Sequence, residues 1–200
     1  MKRYFGYKNS DKEGFTLAEV LITLGIIGVV AAMTVPTLMM NYQRKVWEAR
    51  LKKTFSVAVN ACERMLVEEN VSASNETDLY KEQTVDNVKR YFKVLKNPEA
   101  DPDGKGYLIS LPDGADLYFS ANASLPGFHF YVDVNGTSRP NEAGRDRFVF
   151  DIDKNCTYSA SEATDEAKYF KYVVEHNWEI PEEMSGYGIA SEPAEPPAEP

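Results

Sequence analysis

Lys12-Glu13-Gly14-Phe15-Thr16-Leu17-Ala18-Glu19 opens the one long apolar run of this chain, and the fold follows from how it is read. From Phe15 to Met40 there are 26 residues, and Glu19 is the single charge among them. As a helix the run is about 39 Å long at 1.5 Å per residue, enough to cross a hydrocarbon core of roughly 30 Å. A carboxylate inside lipid costs on the order of 2.5–3.5 kcal/mol even on lenient insertion scales, so Glu19 calls for a partner. Cutting the chain before Phe15 supplies one. The new α-amine, with an ordinary pKa of about 7.7–8.0, is cationic near neutral pH. On one subunit it would neutralise Glu19 of a neighbour and set the axial register between stacked helices.

Simpler readings leave residues unexplained. A secretory signal has an apolar region of about 7–15 residues and a small-residue cleavage site after it, which this run does not match. A plain single-pass anchor fits the length but accounts for neither the Gly14-Phe15 junction nor Glu19. Charge does not set the orientation: Lys2, Arg3, Lys8 and Lys12 precede the run, and Arg44, Lys45, Arg50, Lys52 and Lys53 follow it.

The segment resembles the prepilin-type cleavage and methylation signature shared by type IV pilins and type II secretion pseudopilins. The matching residues are Gly14 before the cut, Phe15 as the new N-terminus, Thr16, Leu17, and Glu19 as fifth residue of the mature chain. Pro36 falls where these proteins often carry a helix-kinking proline. The resemblance implies a cytoplasmic leader, removed by a membrane aspartic peptidase that also methylates the Phe15 nitrogen. It further implies assembly with other pilin or pseudopilin subunits, driven by an inner-membrane platform and ATPase. Before assembly the helix would sit in membrane lipid, single-pass, with the head in the periplasm or exported.

The whole chain of 200 residues carries 22 basic and 31 acidic residues. Residues 1–14 hold four basic and two acidic ones, leaving 18 and 29 and a formal charge of −11 for the remainder. Such a surface repels phosphate backbones and disfavours a nucleic-acid partner. Cys62 and Cys156 are too few and too far apart in sequence for a zinc site. In an exported head they form either one disulfide closing a long loop or two buried thiols.

Five segments follow. Residues 1–14 are the leader, 15–40 the membrane-spanning half of a long helix, and 41–70 its amphipathic half. Trp47, Leu51, Phe55, Ala58, Cys62 and Leu66 form an apolar stripe at helical period in that second half, with Glu48 and Lys52 placed to pair on the opposite side. Pro36 lacks an amide hydrogen and is expected to bend the helix. Residues 71–190 form a globular α+β head and 191–200 a disordered acidic, Pro-rich tail. Within the head, Leu79, Tyr80, Val85, Val88, Phe92 and Leu95 predict a second helix ending near Pro98, entered through Asn75-Glu76-Thr77. Strands are predicted at 107–111, 116–120, 128–134 and 147–152, with turns at Pro112-Asp113-Gly114 and Asn135-Gly136. A late helix is expected over 162–175, with Trp178 seated on the core. The stretch from Asp133 to Phe148 also resembles a segment common in pseudopilin-like heads.

No catalytic constellation is present in the sequence. His129 and His176 are isolated in sequence, and no GxSxG, P-loop or HExxH occurs. The protein is read as no enzyme, with calcium the only cofactor to consider. Asp101, Asp103 and Gly104 begin like a calcium loop, but position twelve from Asp101 is Pro112 where an EF-hand needs glutamate. Asp133, Asn135 and Asp146, with Asp151 and Asp153 nearby in sequence, are the other candidate ligands; solvated turns that use Asp and Asn for their backbone would look the same.

The fold expected is α+β and pilin-like: a long N-terminal helix packed on a small antiparallel sheet. The function expected is assembly into a periplasmic pseudopilus that supports protein export. A surface type IV pilin and a non-polymerising membrane-anchored binding module are the alternatives.

Overall fold

The computed structural model describes residues 14–100, 106–121 and 126–181. The leader up to Glu13, the Asp101–Lys105 part of the calcium-loop stretch and the segment 191–200 lie outside the described residues. The chain forms two compact units, Met1–Tyr42 and Gln43–Pro200.

Helix α1 runs from Leu17 to Glu69, 53 residues with Pro36 inside it. In the first unit its side chains are almost all exposed, among them Leu21, Ile22, Leu24, Ile26, Ile27, Met33 and Leu38. The helix is long and apolar enough to cross a membrane. An apolar surface of that size is the mark of a partner phase or partner chain.

The second unit is built on a six-stranded antiparallel sheet in simple sequence order. Its strands are β1 (Glu99–Ala100), β2 (Gly106–Ser110), β3 (Asp116–Ala121), β4 (Gly127–Asp133), β5 (Arg147–Asp153) and β6 (Tyr158–Ser159). Alternation decides which face is buried. Leu117 and Phe119 on β3, and Phe128, Phe130 and Val132 on β4, point into the core, while Tyr118, His129 and Tyr131 are half-buried on the other face. Register then lines up Phe119, Phe130 and Phe150 across three strands. Gly127 allows the tight approach of β4 to β5, since a Cβ there would stand 2.0 Å from the Ile152 carbonyl oxygen.

The C-terminal part of α1 packs on this face. Leu51, Ala58, Ala61, Cys62 and Met65 are buried, and the Phe55 ring meets Phe150 at 5.2 Å. Helix α4 (Asp165–Glu175), capped by Thr164, brings Phe170 onto Phe150 with ring centroids 4.8 Å apart. Trp178 sits against Phe55 and Phe170.

Between α1 and β1 the single helix expected from the apolar spacing is instead two. A 3-10 turn at Ser74–Glu76 leads into α2 (Asp78–Lys81) and α3 (Val85–Tyr91). Thr77 caps α2 and Thr84 caps α3, each accepting a backbone N–H three residues on. Threonine hydroxyls that satisfy free amides favour a new helix start over continuation, and Glu82 is extended between the two. The expected Glu48–Lys52 pair is also replaced. Glu48 is buried, accepts from the Ile180 amide at 3.1 Å and pairs with Lys45 at 2.9 Å. An amide buried beside α1 needs an acceptor, and the Glu48 carboxylate, about two turns before Phe55, supplies it.

Cys62 of α1 and Cys156 of the β5–β6 turn form a disulfide, at a sequence separation of 94. For a loop of this size the chain-entropy estimate is about 4–5 kcal/mol, and measured bridges deliver about 2–4. The Cys62→Ala/Cys156→Ala variant is expected to lose about 3 kcal/mol, or roughly 6–12 °C in Tm for a head of this size. Reductant should lower the melting temperature of the parent protein towards that of the variant. A parent midpoint insensitive to reductant would contradict the bridge.

Candidate functional site

The N-terminal site is built from Gly14, Phe15, Thr16 and Glu19. Gly14 and Phe15 are exposed ahead of α1. Thr16 and Glu19 form a reciprocal cap. The Thr16 amide and hydroxyl each donate to Glu19 Oε2 at 2.9 Å, and the Glu19 amide donates to Thr16 Oγ1 at 3.2 Å. This is the capping box of a helix N-terminus, in which two orphan amides are satisfied at once. Its signature, Thr-x-x-Glu before an apolar run, is legible in the sequence. Glu19 therefore has a local partner as well as any neighbour, and its Oε1 accepts no hydrogen bond among the described residues. Pro36 lies inside α1, which continues through it. A Cβ built at Gly25 or Gly28 meets nothing within 4 Å, so packing within the chain does not require glycine at either position.

In the head, the candidate calcium residues are engaged by the protein itself. Asp146 is fully buried and accepts from the amides of Asn141 at 2.7 Å and Glu142 at 2.6 Å, which holds the loop after the cis Arg139-Pro140 bond. Asp133 accepts from the Asn135 amide at 3.2 Å and lies 3.5 Å from Arg147 Nε. Burial is the main influence on Asp133 and pushes its carboxyl up from the ordinary value. The Asn135 side-chain amide donates to the Arg139 carbonyl at 3.1 Å. Among the described residues no group of three or more His, Cys, Asp or Glu side chains is placed to hold a metal ion.

Neither histidine is isolated in space. His129 Nδ1 lies 2.7 Å from Asp151 Oδ1 on the next strand. His176 stacks on Tyr172 with centroids 3.8 Å apart, and its Nδ1 lies 2.8 Å from the Tyr172 carbonyl oxygen. Cross-strand placement and a helix end account for both contacts.

Asp153 organises the turn that carries Cys156. Its Oδ1 accepts from the amides of Asn155 and Thr157, both at 2.9 Å, and Cys156 takes a left-handed φ of 61°. Burial of Asp153 opposes its charge, but the hydrogen bonds from Thr157 and Asn155 together outweigh it and hold the carboxyl below its ordinary value. A depressed folded pKa contributes stability above the unfolded value, near 3.8, that is lost as pH falls through the folded one. The stability difference between the parent and Asp153→Asn, read by urea unfolding, should therefore be largest near neutral pH and shrink on acidification below about pH 4. A difference that grows on acidification would contradict this account of the turn.

Residues 9–35 match the family model for the prokaryotic N-terminal methylation motif. No curated protein and no solved structure matches the chain. The motif implies processing by prepilin peptidase and assembly with other pilin subunits, and the apolar α1 fits a membrane-anchored subunit. A long apolar helix followed by an antiparallel sheet is consistent with a pilin-like α+β fold. The chain carries the prepilin-type signature of type IV pilins and pseudopilins.

Proposed function

We propose that this protein is a pseudopilin of a type II secretion system, cut between Gly14 and Phe15, methylated on Phe15, and assembled into a short periplasmic fibre that supports protein export. The observation that carries the assembly role is Glu19, the only charge between Phe15 and Met40, at the start of a helix whose apolar side chains are exposed. Helix bundling would cover those side chains, and Gly25, Gly28, Ala31 and Ala32 would let backbones approach closely. The α-amine of Phe15 on one subunit would meet Glu19 of the next. The inner-membrane platform would lift subunits out of lipid into the fibre.

The resemblance of the Asp133–Phe148 segment to pseudopilin heads supports the secretion reading over a surface pilus. Shearing intact cells separates the two. Processed protein confined to the membrane fraction is the expected result. Processed protein in the sheared fraction would identify a surface filament instead.

A further inference from the structure

We propose that the basic stretch Lys89–Lys96, formed by the last turn of α3 and the loop after it, docks on the acidic C-terminal end of α4 in a second copy of the chain. The inference rests on the assembly reading above and adds to it a contact between heads. No acid lies between Asp86 and Glu99 in sequence, and Lys89, Arg90, Lys93 and Lys96 are all exposed. Arg64 of α1 joins them, its Nη2 donating to the Arg90 carbonyl at 2.7 Å. The guanidiniums of Arg64 and Arg90 lie 5.5 and 5.1 Å from the Tyr91 ring centroid. The Lys89 ammonium donates to Asn97 Oδ1 at 2.7 Å, which closes the stretch into a loop containing Lys93 and Lys96. Glu68 is shared between Arg64 and Arg90. Lys93 and Lys96 have no ion pair or side-chain hydrogen bond among the described residues. Leu95, 62% exposed, stands in the same loop and gives a docked surface something apolar to cover.

The end of α4 carries the opposite sign. Both lysines of that helix are committed, Lys168 to Asp165 and Lys171 to Glu162. Glu175 occupies the last turn, which holds no basic residue and where the free backbone carbonyls are themselves negative. Glu179 follows, and both glutamates are exposed. Neither makes a salt bridge or a side-chain hydrogen bond among the described residues. Glu179 acts on Lys45, but less than Glu48 does. A helix end that adds carboxylates to its own negative carbonyls calls for a cation from outside the chain.

Within one chain the two surfaces are fixed to α1 at different levels. The basic stretch is held at Arg64, and Tyr91 donates to Glu69 at 2.7 Å. The segment leaving α4 is held at Phe55 by Trp178 and at Glu48 by the Ile180 amide. From Glu48 and Phe55 to Arg64 is about 14–24 Å of helix at 1.5 Å per residue. A parallel copy displaced along α1 by a distance of that order brings one surface to the other. Complementarity of sign selects the second copy as occupant. A free anion or a lipid phosphate would neutralise the lysines and leave Glu175 and Glu179 as they are, whereas a displaced copy satisfies both ends at once. The contact joins unlike surfaces, so it repeats along a stack instead of closing a two-fold pair.

The test uses the full chain in cells, as parent, Lys93→Glu/Lys96→Glu, Glu175→Lys/Glu179→Lys and the combination of all four, with the assembled fraction read by sedimentation after gentle extraction. Either reversal alone is expected to lower that fraction at least about fivefold, because like charges then face each other, and the combination to restore it to within about twofold of the parent. In the parent, a zero-length carbodiimide should give a covalent dimer in which Lys93 or Lys96 is joined to Glu175 or Glu179, a link found in the dimer and not in the monomer. Reversals without effect, a combination no better than its parts, or a dimer lacking this link would overturn the contact. If Glu19→Ala still lowers assembly in that case, the fibre reading stands without it. A parent that does not assemble overturns both.

Discussion

Glu19→Ala is expected to leave the protein inserted in the membrane and to lower the assembled fraction by roughly ten- to hundredfold. That range corresponds to about 1.5–3 kcal/mol for a charge-assisted hydrogen bond. Two roles of the carboxylate are lost together in this variant. One is the cap: Glu19 Oε2 takes the Thr16 amide and hydroxyl, and removing it costs the helix start about 1 kcal/mol. The other is the proposed pairing with a neighbour's α-amine. Glu19→Gln separates them. A glutamine oxygen can still accept from Thr16, since Gln replaces Glu in capping boxes, but it carries no charge to meet the amine. The account predicts that Gln assembles as poorly as Ala. Normal assembly of the Gln variant would reduce Glu19 to a helix cap.

Phe150→Ala is expected to destabilise the head by about 3–5 kcal/mol, a large part of a typical stability of about 5–15. Phe150 is the ring on which three elements meet. It stacks on Phe130 of β4 at 5.0 Å and on Phe170 of α4 at 4.8 Å, and it receives the edge of Phe55 from α1 at 5.2 Å. Truncation would open a cavity that these neighbours cannot close without leaving one another. Val149→Ala, on the opposite face of the same strand, removes less volume and should cost about 1 kcal/mol. Denaturant midpoints compare the two. Equal losses would mean that the aromatic cluster is not the centre of the core.

Much of this architecture was legible in the sequence because its elements are long or strongly patterned. The apolar run with its single acid pointed to the N-terminal helix and its signature. Aromatic and β-branched residues bounded by turn signals such as Pro112-Asp113-Gly114 marked β2, β3, β4 and β5. What escaped is local. Strands β1 and β6 have two residues each, too few for any period to show. The break between α2 and α3 rests on Thr84 taking an amide, while the apolar spacing across it still reads as one helix. Glu48 and Lys52 have pairing spacing on a helix, yet Glu48 pairs with Lys45 and takes an amide 132 residues away in sequence. For Asp133, Asp146 and Asp153 the sequence left two readings open, calcium ligands or carboxylates that set their own turns. In three dimensions each accepts backbone N–H groups of its own turn.

The candidate site divides the same way. Thr16 and Glu19 are close in sequence and their capping box follows from spacing alone. Pairing of Glu19 with a second subunit depends on a chain the sequence of one subunit does not contain.

Intact mass of the protein extracted from membranes tests the central claim most directly. The account predicts one species that begins at Phe15 and carries a methyl group on its nitrogen. A chain that retains residues 1–14, with Gly14 still bonded to Phe15, would contradict it.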